Sequence, residues 1–81
     1  MESELEQSKK WVIRLTLSEQ DYKTLLLSSM KNLEFNVNVG EIIDYNEFSH
    51  LCTFDITFRN VHVRQKNQLF AMFFIKTFSV N

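Results

Sequence analysis

Three side chains in this sequence have the right chemistry for nucleophilic or metal work: His50, Cys52 and His62. A cysteine nucleophile needs a base within hydrogen-bond reach. His50 and Cys52 lie two apart in a strand-like stretch. That spacing shares a face but holds the side chains too far apart to bond unless the chain curls. A metal site needs three or four converging ligands. His62 is twelve residues beyond His50, a separation of roughly 33–40 Å along an extended strand. Cys52 therefore reads as a small core residue and His50 as a turn-flanking one.

Paired carboxylates could do acid–base chemistry if brought together in a buried site. Glu41 and Asp55 are the pair that a hairpin register could bring together. Acids on a solvated sheet face are the more ordinary reading. A phosphate-cradling glycine loop is excluded, because Gly40 is the one glycine in 81 residues. These absences predict no catalytic group, no cofactor, no metal and no small-molecule substrate. The chain reads as a non-enzymatic protein.

The elements that position these residues follow from periodicity. Residues 1–9 carry a single apolar side chain, Leu5, and read as a flexible tail; residues 10–81 read as one domain. Trp11, Ile13, Leu15 and Leu17 alternate with Val12, Arg14 and Thr16, which predicts a half-buried strand. Ser18 with Asp21 three residues on forms a capping pattern. Tyr22, Leu25, Leu26 and Met30 then recur at helical spacing. The helix is expected over 19–31, with Asn32 as its stop.

Leu33, Phe35, Val37 and Val39 alternate with polar residues and predict a strand running to about Tyr45. Gly40 should kink it. Asn46-Glu47-Phe48-Ser49 reads as the turn. Cys52, Phe54, Ile56 and Phe58 resume the alternation, with Val37 facing Phe58 and Val39 facing Ile56. The phase slips at Arg59-Asn60, which suggests a second bulge. Residues 64–68 are polar and read as a turn. From Leu69 to Val80 the chain is apolar on both parities. Such a run is a doubly buried strand or a buried helix. Its Phe, Ile, Thr and Val favour strand; its opening Leu69-Phe70-Ala71-Met72 suits a helix. The expected fold is a small two-layer α+β domain of β-α-β-β-β order. One helix would pack on a mainly antiparallel four-stranded sheet.

Composition narrows the function classes. A single cysteine precludes an internal disulfide and fits a reducing, cytoplasmic setting. The acidic start lacks the order of a signal peptide, and no apolar run is long enough to span a membrane. Abundant Phe, Asn, Lys and Ile, whose codons are A/T-rich, hint at a phage or mobile element.

The net charge of −1 hides an uneven distribution. Residues 32–58 carry Glu34, Glu41, Asp44, Glu47 and Asp55 with no Lys or Arg. Residues 59–81 carry Arg59, Arg64, Lys66 and Lys76 with no acid. The acidic hairpin could imitate a nucleic-acid backbone. The basic third could bind one, although the overall charge is poor for attracting phosphates. Cross-strand neutralisation is the plainer reading of both.

If the last segment is a strand, Ala71, Phe73 and Ile75 form a second apolar face with nothing to cover it. Such a patch marks an interface. The expectation is therefore a protein that binds another protein, as an inhibitor or adaptor, or itself as a homodimer. Nucleic-acid binding is the alternative.

Overall fold

The structure, a computed structural model, describes residues 8–79. The chain forms β1 (Ser8–Ser18), α1 (Glu19–Lys31), a 3-10 turn (Leu33–Phe35) and β2 (Val37–Asn46). Then come β3 (Leu51–His62), a second 3-10 turn (Val63–Gln65) and α2 (Lys66–Phe78). The fold is α+β, with two helices and a three-stranded antiparallel sheet in the order β1-β3-β2. Residues 1–7 of the expected tail lie outside the described residues; Ser8 and Lys9 belong to β1.

Local chemistry sets the first helix where the capping pattern puts it. The Ser18 hydroxyl accepts the Asp21 N–H at 3.1 Å, and Asn32 ends the helix by returning its N–H to the Ser28 carbonyl at 2.9 Å. Glu19 and Asp21 sit at the positive end of the helix and Lys31 at the negative end.

The β2–β3 hairpin has the expected register: Val37 faces Phe58 and Val39 faces Ile56. Both phase slips are real. Beyond Val39 the register shifts twice, between Val39 and Ile42 and again between Ile42 and Asp44. On the other side, β3 gains a residue against β1 at Arg59-Asn60, where Asn60 takes φ 58°. That insertion lets Val61 return to the face already used by Cys52, Phe54, Ile56 and Phe58, and all five are buried.

Gly40 sits where β2 presses on β3. A Cβ there would lie 3.0 Å from the Asp55 carbonyl oxygen, and the Gly40 carbonyl accepts the Tyr22 hydroxyl at 2.8 Å. Backbone on both sides leaves little room to relax. Gly40→Ala is expected to lower stability by about 1–2 kcal/mol through this overpacking. A urea titration with an unchanged midpoint would contradict it.

Two stretches expected as strand are not strand. Leu33–Phe35 is a 3-10 turn rather than the start of β2. Asn36 follows in the left-handed region, φ 50°, which asparagine tolerates better than most residues. The turn drives Phe35 into the core and leaves Leu33 exposed.

The larger correction concerns the last segment. Among the described residues there is no fourth strand; Lys66–Phe78 is helix, so the order is β-α-β-β-α. A strand there would surrender one parity of its aromatics to water. The helical period instead gathers Leu69, Phe70, Phe73, Phe74 and Phe78 against the core. Phe73 is wholly buried, 5.4 Å from the Phe35 ring and 6.0 Å from Phe58 in edge-on contacts.

Both helices thus cover the same sheet face. Ser28 and Ser29 of α1 are buried, and the Thr77 hydroxyl of α2 donates to the Ser28 hydroxyl at 2.8 Å. The opposite sheet face carries Val12, Arg14, Thr16, Thr53, Asp55 and Thr57. It is knitted by an Arg14–Asp55 pair and a Thr16–Thr53 hydroxyl contact.

Candidate functional site

The β2–β3 connection is built as a fixed platform. The Asn46 side-chain oxygen accepts the N–H groups of Phe48 and Ser49 at 2.9 and 3.0 Å. The Asn46 carbonyl takes the His50 N–H at 2.7 Å. Tyr45 Oη and His50 Nδ1 share a hydrogen bond of 2.9 Å, and His50 reverses the chain at φ 61°. Asparagine at the first position of a turn supplies this pattern from a single side chain.

On that platform Phe48 is 97% exposed. It is the most exposed large apolar side chain among the described residues, and it stands on one of the best-tied turns. Ile42, Ile43, Tyr45 and Leu51 are further exposed apolar residues on the two strands behind it. Glu41, Asp44 and Glu47 are interleaved with them, and among the described residues none of the three makes an ion pair.

The other two acids of the expected acidic surface are elsewhere and engaged. Asp55 turns onto the open sheet face, where Arg14 binds both of its oxygens at 2.9 and 3.2 Å. Glu34 sits in the 3-10 turn and accepts from Lys76 at 3.1 Å. The five acids therefore do not form one surface, and the Asp55 carboxylate is committed to Arg14. Glu41 acts instead on Tyr22, whose phenol is pushed up first by burial and then by that charge.

The hydrogen bond from Arg14 holds the Asp55 carboxyl below its ordinary range, aided by the guanidinium charge and opposed by desolvation. Its contribution is present above the unfolded-state value near ~3.9 and is lost as pH falls through the folded one. Arg14→Ala is expected to return the Asp55 midpoint toward the ordinary value in a carboxyl NMR titration. An unmoved midpoint would show that another group depresses it.

The expected basic surface also divides. Lys76 is held by Glu34. Arg59 lies on the β3 bulge, Arg64 is exposed in the second 3-10 turn, and the Lys66 ammonium sits 5.3 Å over the Trp11 ring. Lys10 joins them, because Lys9 pairs with Val61 and Trp11 with Phe58 across the bulge. These four cations gather at the end of the sheet opposite the hairpin turn.

Of the expected interface, Ala71 and Ile75 are exposed while Phe73 closes the core. In a helix, residues two apart point in divergent directions, so the three cannot share a face.

His50 closes the turn at positive φ, and Cys52 lies two residues on, inside β3. Cys52 is fully buried, and burial, with a smaller push from Glu19, raises its thiol above the ordinary value. His62 stands at the far end of β3, where its Nδ1 accepts the Arg64 N–H at 3.3 Å. No group of three or more His, Cys, Asp or Glu side chains able to hold a metal occurs among the described residues. No helix among them is long and apolar enough to cross a membrane.

No protein-family model, curated protein or solved structure matches this chain.

Sequence reasoning placed the turn but passed over Phe48 within it. The signal was present: a large aromatic in the middle of four turn residues has no core to enter. The exposure of Met72 is not legible in the sequence, because it depends on the last segment being helical.

Proposed function

We propose that this is a non-enzymatic binding protein, a small adaptor or inhibitor, that engages another protein through the tip of the β2–β3 hairpin. The observation that carries the reading is Phe48, almost fully exposed on a turn already fixed by hydrogen bonds. Aromatic anchors dominate the energetics of protein interfaces. A residue held in place before binding loses little freedom on docking. The flanking Glu41, Asp44 and Glu47 set the sign of the partner's surface, which is basic around an apolar recess.

The test is a photoreactive phenylalanine analogue at position 48, with the same group at Thr16 on the open sheet face as reference. A defined protein adduct is expected at 48 and not at 16. The adduct should disappear when Glu41, Asp44 and Glu47 are all changed to Lys. Equal adducts at both positions would sink the hairpin reading.

A further inference from the structure

The partner chemistry called for by the hairpin tip is present at the other end of the same molecule. Gln65, Gln68, Leu69 and Met72 line a shallow cleft of about 160 Å³ at the start of α2. An apolar cavity of about 150 Å³ is known to hold a benzene ring. Leu69 and Met72 supply the apolar walls, and Met adapts its shape readily to an inserted ring. Arg64 and Lys66 adjoin the cleft in the chain, with Lys10 and Arg59 at the same end of the sheet. Among the described residues, the acid that falls at this end, Glu34, is already held by Lys76.

The two ends are far apart. β3 spans twelve residues between them, a length of roughly 40 Å, against a screening length of about 8 Å at physiological salt. At that separation they cannot neutralise each other within one chain.

We infer that the protein assembles head to tail: Phe48 of one copy seats in the Leu69–Met72 cleft of the next, with Glu41, Asp44 and Glu47 facing Lys10, Arg59, Arg64 and Lys66. This rests on the hairpin being the binding site and names a second copy as its occupant. Such a contact is heterologous. An open assembly of any length keeps one free tip at one end and one free cleft at the other, so association continues past the dimer unless a ring closes.

Sedimentation equilibrium up to about 1 mM chain, the range where weak contacts show, tests this with two variants. The tip variant is Phe48→Ala with Glu47→Lys. The cleft variant is Arg64→Glu with Met72→Glu. All four positions are exposed, and circular dichroism checks that each variant keeps its fold. The wild type is expected to gain mass with concentration and to lose association as salt rises. Each variant alone should associate at least about tenfold more weakly, the scale of a lost anchor.

Mixing the two variants is the decisive arm. The cleft variant still offers a good tip and the tip variant a good cleft, so a one-to-one complex is expected. A wild type that stays monomeric, or two variants that fail to associate with each other, would overturn the inference. Glu2, Glu4 and Glu6 precede the basic end in the sequence. Changing all three to Gln is expected to strengthen association, and a weakening would count against the basic end as the contact. A monomeric wild type whose position 48 still crosslinks to a different protein would overturn self-assembly while leaving the hairpin as the binding site.

Discussion

Phe73→Ala is expected to cost about 3–5 kcal/mol, the range for deleting a buried aromatic ring. Phe73 is 0% exposed and touches rings from three elements: Phe35 before β2, Phe58 on β3 and Phe74 within α2. At about 0.05–0.15 kcal/mol per residue, a chain this size has only roughly 4–12 kcal/mol in total. The melting temperature should therefore fall by about 12–40 °C, and the variant should sit near the edge of folding.

Ile75→Ser is the matched comparison. Ile75 is 65% exposed, so its replacement should stay within about 0.5 kcal/mol of the wild type. The two residues are two apart and would be equivalent in a strand; helix α2 makes them opposite. Calorimetry of both variants reads out that difference. Equal losses would contradict the placement of α2.

The Cys52 thiol is expected to resist alkylation in the native protein by a factor of about 10³–10⁴ relative to the unfolded chain. That factor follows if reaction waits on an opening that costs most of the global stability, roughly 5 kcal/mol. Two causes act together. The sulfur lies under the helical layer with no exposed surface, and burial keeps the thiol protonated. The thiolate is the reactive form. Iodoacetamide labelling followed by mass spectrometry measures the protection, and its urea dependence should track unfolding. Rapid labelling without denaturant would show that the hairpin end opens locally.

The same burial fixes a pH dependence. The folded thiol titrates above the unfolded one, so the unfolded state loses its proton first. The associated stability is intact below the unfolded value of about 8.5 and is lost as pH rises from there through the folded value. Tyr22 and Tyr45 are also raised by burial and add to the alkaline loss at higher pH. Cys52→Ala should flatten the first part of that limb.

Local signals made α1 and the hairpin legible in the sequence. Ser18, Asp21 and Asn32 bracket one helix with capping chemistry that needs no tertiary partner. The alternation of Val37 and Val39 with Ile56 and Phe58 sets a register because slipping by one residue would turn every side chain over. Even the bulge at Arg59-Asn60 showed as a break in phase. The last segment was ambiguous because its apolar residues fall on both parities. Whether such a run is strand or helix is decided by what it packs against. Phe35 and Trp11, far away in the chain, complete the aromatic cluster that α2 joins. Leu33–Phe35 misled for a related reason: two alternating apolar residues satisfy a strand pattern, yet Asn36 turns the chain first. The division of the charges was invisible because it depends on cross-chain partners, Arg14 for Asp55 and Lys76 for Glu34, about forty residues apart.

The sheet order places the first strand beside the third. Trp11 pairs with Phe58 and Ser18 with Leu51, so β1 leaves the ribosome well before its partner exists. The β2–β3 hairpin can close by itself in roughly microseconds. β1 must then find an edge already formed, at the entropic cost of a long loop, and that step should set the folding rate. Until then Trp11, Ile13, Leu15 and Leu17 form an amphipathic ribbon with no cover. Nascent chains are therefore most open to chaperone capture at β1, the strand that is synthesised first and paired last.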